Sequence, residues 1–269
     1  MLQIIEDNWF LKKTLGDTKN SKVRLFLFPP AGGDISTYFS WEKSFPIYTE
    51  TCFLKLPGRG KRIGEPLISN IDIIVDNIID EMKNMQDVPF LFFGHSMGAL
   101  IAYETALRCY KMKLKLPEKL IVSGMKAPDI LSDINKKINH IKLHNLGNEQ
   151  LRNIILNLGG MPDIFKENEE FLDILIPVFR NDLKICETYE KNSDTRLPID
   201  IDILGGDRDA LSSIEELEGW SKCSLNNVNT KYFKGGHFYF YDNMEEFIKF
   251  ISESIGNVKD NYEKKAISV

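Results

Sequence analysis

Gly94-His95-Ser96-Met97-Gly98 sets a serine between two glycines at the spacing G-x-S-x-G. That spacing suits a sharp strand-to-helix turn that holds the serine in a strained conformation with its Oγ exposed, a nucleophile elbow. Gly94 and Gly98 lack a Cβ, so neighbouring backbone can pass close beside the turn. A helix beginning at Met97 would point its free N–H groups and positive dipole end toward the place where an oxyanion forms. The chemistry implied is attack by Ser96 Oγ on an acyl carbon.

A serine hydroxyl at neutral pH needs a base to take its proton, and the base needs a carboxylate to orient it. The chain has four histidines. His95 lies inside the elbow, where its side chain is expected to point away from Ser96. His140 and His144 fall within residues 125–195, the stretch read below as a lid. His237 alone follows a late strand end, on a loop opened by Gly235-Gly236, and is the natural base. The acid should follow a strand end between Ser96 and His237, and both Asp207 and Asp209 do. Asp209 is favoured because it lies a few residues beyond the turn. Asp207 is the alternative, and whichever is not the acid is expected to cap the turn. Asp129, after the preceding strand, is a weaker third candidate.

Val23–Phe28 is a compact apolar strand followed by Pro29-Pro30-Ala31-Gly32-Gly33. The prolines cannot donate, so Ala31 supplies the first free backbone N–H, while the glycines let a ligand approach closely. Ala31 and Met97 are thus the candidate oxyanion donors.

These groups need a scaffold, and the hydrophobic pattern predicts one. Strands are expected at Trp9–Lys12, Cys52–Leu56, Phe90–Phe93, Lys119–Val122, Ile199–Leu204 and Lys231–Phe233. Helices are expected at Asp34–Phe45, Ile71–Met85, Met97 onward, Glu215–Lys222 and Met244–Ile255. Ile71, Ile74, Val75, Ile78, Ile79 and Met82 follow the helical period. Alternating strands and helices argue for an α/β fold: a mostly parallel central sheet covered on both faces. Residues 125–195 break the alternation with two helical patterns, Asn148–Leu158 and Asn168–Glu190, separated by Gly159-Gly160-Met161-Pro162. They are expected to form a helical lid, hinged at the glycines, over the mouth of the site. The expectation is one domain over residues 1–269, ending in a mobile polar tail at 256–269.

Composition narrows the function classes. At 43% hydrophobic and 27% charged, the chain resembles an ordinary globular protein. Its formal net charge of -5 supplies no basic field for nucleic acid. Cys52, Cys109, Cys186 and Cys223 are scattered without a C-x-x-C pair, so neither a metal site nor a disulfide framework is expected. Reduced thiols fit a cytoplasmic setting. The acidic N-terminus does not read as a signal peptide, and no stretch approaches the ~18 apolar residues of a membrane span. No metal or redox cofactor is expected.

F-P-P-A-G-G at Phe28–Gly33, L-P-G-R-G at Leu56–Gly60, the elbow, L-G-G-M-P at Leu158–Pro162, G-G-D-R-D at Gly205–Asp209 and G-G-H-F at Gly235–Phe238 occur in order. Together they resemble the type II thioesterases of nonribosomal peptide and polyketide synthases, members of the α/β-hydrolase superfamily. The resemblance covers about residues 20–255. It implies a stand-alone monomeric enzyme that hydrolyses acyl or aminoacyl thioesters from the phosphopantetheine arms of acyl or peptidyl carrier domains. It implies Ser96, Asp209 and His237 as triad, with the Met97 and Ala31 N–H groups as oxyanion hole. A carboxylesterase, an acyltransferase with the same triad and a non-catalytic protein that docks on a synthase stand as alternatives. Carrier domains tend to be acidic, so Arg59, Lys61 and Arg62, or Lys111, Lys113 and Lys115, are candidate contacts; the bland reading of the first three is a solvated turn.

Overall fold

The computed structural model describes residues 2–15, 21–137, 141–161 and 163–267. Strands β1 (Leu2–Glu6), β2 (Phe10–Leu15), β3 (Val23–Phe28), β4 (Thr49–Leu54), β5 (Phe90–His95), β6 (Lys119–Ser123), β7 (Asp200–Gly206) and β8 (Val228–Phe233) form one sheet in the order β1-β2-β4-β3-β5-β6-β7-β8. From β4 to β8 neighbouring strands pair parallel; β2 is antiparallel to β4, and β1 to β2. The mostly parallel α/β sheet expected from the sequence is therefore present.

Period-two side chains explain why the sheet is covered on both faces. In β3, Phe26 and Phe28 enter one apolar core while Val23, Leu25 and Leu27 enter the other. In β5, Phe90 and Phe92 divide from Leu91 and Phe93 in the same way. The first core is closed by helices α1 (Ile71–Met82) and α2 (Met97–Lys111), and the second by a long C-terminal helix. Asn70 starts α1 by accepting the Ile73 N–H at 3.2 Å.

The chain steps outward from β3 to β4, then returns past β3 to β5. Strand order thus reverses between β3 and β5, and the loops leaving their carboxyl ends diverge into a crevice. Those loops carry Ala31 and Ser96.

Between β6 and β7 the chain inserts α3 (Pro128–Asn135), α4 (Asn148–Asn157), α5 (Asp163–Lys166) and α6 (Glu169–Glu187). Leu151, Ile155, Leu172, Ile176 and Phe179 give this insertion its own small core, which packs against Ala31. The sequence pattern missed α3. Of the proposed hinge, Gly159 adopts φ +78°, while Pro162 lies outside the described residues.

Other boundaries also differ. The helix expected at Asp34–Phe45 is two 3-10 segments, Ile35–Tyr38 and Trp41–Ser44. Ile, Ser, Thr and Tyr form helix poorly, and Asp34 accepts the Ser36 N–H in a local turn that competes with one. The expected Glu215–Lys222 helix is α7 (Ile214–Glu218), with a 3-10 segment from Gly219 to Cys223. An edge strand, β1, joins the expected second one; with Ile4 and Ile5 exposed it shows little alternation to reveal it. The segment expected to be a mobile tail from 256 continues helix α8 (Met244–Ile267), with Lys259 and Glu263 paired one turn apart at 2.8 Å. All four cysteines are free, and burial pushes the Cys109 and Cys223 thiols up to about 12. Among the described residues no helix is long and apolar enough to cross a membrane.

Candidate active site

Ser96 joins β5 to α2 with φ +54° and ψ -126°, a conformation that L-residues rarely adopt. Two close approaches force the turn. A Cβ on Gly94 would lie 2.2 Å from the Gly98 carbonyl oxygen, and one on Gly98 would lie 2.0 Å from the Phe28 oxygen. The Ser96 N–H donates to the Ser123 carbonyl at 2.8 Å, which ties the elbow to the end of β6. Ser96 remains partly exposed while its neighbours are buried.

The loops after β7 and β8 meet beside this elbow. Arg208 N–H donates to the Gly235 oxygen at 2.9 Å, and a Cβ on Gly206 would lie 2.2 Å from the Gly236 oxygen. Asp209 Oδ2 sits 2.8 Å from His237 Nδ1, with the Asp209 side chain wholly shielded from solvent. Asp207 accepts the Gly235 N–H at 2.8 Å instead, so it caps the turn. Asp129 pairs with Lys191. Of the three carboxylates considered, the fold brings only Asp209 to His237.

His95 turns into the protein below the elbow, as expected. Its Nδ1 lies 2.9 Å from Ser123 Oγ, which in turn lies 2.7 Å from the Tyr239 hydroxyl. Burial, and then the neighbouring His237, hold its pKa well below the ordinary imidazole value. The His95 and His237 rings pack with centroids 4.7 Å apart. Gly124 makes room for both: a Cβ there would lie 2.6 Å from His95 Cε1 and 3.3 Å from His237 Cε1. The signal in the sequence was a glycine directly after a strand, which fixes no partner. His144 is held elsewhere by Glu187 at 2.6 Å, and His140 lies outside the described residues.

The Pro30–Gly33 loop, the candidate for the second oxyanion donor, is a type II turn. Gly33 N–H closes onto the Pro30 oxygen at 2.9 Å, with φ +73° at Gly32 and no positive φ at Ala31. Among the described residues no hydrogen bond engages the Ala31 N–H.

The basic turn after β4 divides. Arg62 donates to Glu65 and stacks over Trp9, and Lys61 pairs with Glu6 at 2.7 Å. Arg59 is buried beneath the surface. Lys111 closes α2 and so lies about 22 Å along the helix axis from Ser96. Lys115 is bound to the Gln86 and Val88 carbonyls. Arg59, Arg62 and Lys115 are thus engaged within the protein, while Lys61, Lys111 and Lys113 remain exposed.

An apolar cavity of about 470 Å³ opens between the Ala31 turn and the inserted helices, lined by Ile155, Leu158, Met161, Leu175, Phe179 and Phe238 among others. A larger cavity of about 820 Å³ lies at the amino ends of β6 and β7, near Glu118 and Asp200. It is the wrong end of a parallel sheet for the elbow.

The thioesterase domain family matches residues 23–255. The gramicidin S biosynthesis protein GrsT of Aneurinibacillus migulanus is 32% identical over 93% of this chain and 94% of its own. Thioesterase PikA5 of Streptomyces venezuelae is 30% identical over 88% and 82%, respectively. Among solved structures, the type II thioesterase BorB from the borrelidin biosynthetic cluster superposes with a TM-score of 0.83 at 26% identity, covering 94% of this chain and all of BorB.

Proposed function

This chain belongs to the thioesterase domain family, and from that membership we propose that it is a stand-alone type II thioesterase. Its substrates are acyl or aminoacyl thioesters on phosphopantetheine arms, and its partners are the carrier domains of a nonribosomal peptide or polyketide synthase. The observation that carries the catalytic assignment is the 2.8 Å contact of Asp209 Oδ2 with His237 Nδ1 beside the strained Ser96 elbow.

In this reading His237 Nε2 takes the Ser96 proton as Oγ attacks the thioester carbonyl carbon, and Asp209 holds the imidazole through Nδ1–H. The tetrahedral oxyanion is met by the Met97 N–H, at the start of α2, and by the Ala31 N–H. The C–S bond then breaks and the pantetheine sulfur leaves with the proton from His237. Water, deprotonated by His237, attacks the acyl-serine ester, and collapse of the second tetrahedral intermediate returns the proton to Ser96 and releases the acid. The inserted helices act as the lid of the acyl compartment, and the chain works as a monomer.

The test is release of several acyl and aminoacyl groups from a loaded carrier domain by wild type and Ser96→Ala. Release that depends on Ser96 supports the reading. A strong preference for free esters over carrier thioesters makes it a carboxylesterase, transfer of the acyl group to an acceptor other than water makes it an acyltransferase, and carrier binding without any turnover makes it a docking protein.

A further inference from the structure

We propose that Arg59 and Asp182 form a clamp that holds the oxyanion turn to the inserted helix α6, making both positioning residues for the reaction. This rests on the oxyanion role proposed above for Ala31. Asp182 is fully buried and Arg59 nearly so. Arg59 Nη2 donates to Asp182 Oδ1 at 2.8 Å, and Nη1 donates both to Asp182 Oδ2 and, at 3.2 Å, to the Gly33 carbonyl. Asp182 Oδ2 also accepts the Gly32 N–H at 2.8 Å. Three stretches distant in sequence are therefore joined by one ion pair: the turn after β3, the turn after β4 and α6.

The contact to Gly32 is specific to one turn geometry. In a type II turn the central peptide, here between Ala31 and Gly32, is flipped relative to a type I turn. The carboxylate of Asp182 meets that N–H in the flipped orientation and holds it there. Leu175 and Phe179, four residues apart and on the same face of α6, lean on the turn as well: a Cβ on Gly32 would lie 3.2 Å from each. The peptide so fixed directly follows the Ala31 N–H, which faces no internal acceptor among the described residues. An oxyanion donor works by being in place before charge develops. A bidentate guanidinium–carboxylate pair gives that placement more geometric definition than a single hydrogen bond. Position of the insertion and readiness of the donor thus become one variable, because displacing α6 removes the acceptor from Gly32.

A buried ion pair is weak evidence for a stabilising role, since a well-packed apolar pair of similar size often stabilises a fold equally well. That separates positioning from folding. The Arg59→Met, Asp182→Leu double variant keeps the interior filled but removes the acceptor for Gly32. The expected result is a melting temperature close to wild type, with kcat on a carrier-bound thioester lowered about tenfold to a hundredfold and KM within about threefold. The inhibition constant of an acyl trifluoromethyl ketone, whose adduct with serine carries the oxyanion, should rise in parallel with the loss of kcat. Unchanged kcat in the folded double variant overturns the clamp, as does a fall in kcat with no change in trifluoromethyl ketone affinity. Arg59→Leu, Asp182→Met, which fills the same space with a different apolar pair and likewise removes the acceptor for Gly32, answers the same question should the first double variant not fold, with the same readouts and criteria. Ser96→Ala is measured alongside: wild-type turnover there defeats the proposed function itself, whereas an inactive Ser96→Ala beside fully active clamp variants defeats the clamp alone.

Discussion

His237 Nδ1 meets Asp209 Oδ2 at 2.8 Å, while Asp207, two residues earlier on the same turn, points its carboxylate at the Gly235 N–H. One acidic turn therefore supplies an orienting group and a structural cap.

The two aspartates should separate in kinetics. Asp209→Asn leaves an amide where the imidazole needs an acceptor, and kcat for carrier-bound thioester should fall by about a hundredfold to ten-thousandfold. Asp207→Asn keeps an oxygen for the Gly235 N–H and should stay within about threefold of wild type. Steady-state release of a radiolabelled acyl group measures both; the reverse ranking would make Asp207 the acid.

The elbow tolerates no side chain at Gly94 or Gly98. Gly98→Ala places a methyl group where 2.0 Å separates it from the Phe28 carbonyl oxygen, and backbone cannot yield as a flexible side chain does. Destabilisation of about 3 kcal/mol or more is expected, together with loss of turnover in whatever folds. Urea unfolding followed by fluorescence gives the number.

Acid should weaken the fold through His95. Its native pKa is depressed, by burial first and His237 second, relative to an unfolded value near 6.5. The unfolded chain thus binds a proton that the native one refuses. The contribution is complete above pH ~6.5 and is lost as pH falls toward the native pKa, with a limiting slope of about 1.4 kcal/mol per pH unit. Unfolding free energies at pH 7.5, 6.5 and 5.5 should decline more steeply for wild type than for His95→Gln. Parallel slopes would refute the assignment.

The apolar cavity should set chain-length preference. Met161→Trp adds bulk to the wall of that cavity. Turnover of an octanoyl thioester should drop at least about tenfold while an acetyl thioester stays within about threefold. Equal losses for both would show that the acyl chain lies elsewhere.

The sequence by itself determined the serine elbow, the Pro-Ala-Gly-Gly turn after β3, the late histidine and the parallel sheet that carries them. Each is written locally: glycine spacing sets a turn, period-two apolar residues set a buried strand, and a strand end sets where a loop can hold a polar group. Tertiary structure decided what depends on partners far along the chain. Asp207 and Asp209 are near-equal by pattern, and only the meeting of the loops after β7 and β8 gives one the imidazole and the other a peptide N–H. Arg59 looks like surface charge beside Lys61 and Arg62 until Asp182, 123 residues later, draws it inward. The helix over 256–267 is not marked in the sequence for a related reason: its apolar stripe on the core ends at Val258, and the residues beyond are mostly polar. Short-range spacing records conformation, whereas charge pairing and burial are settled only when distant segments arrive at the same place.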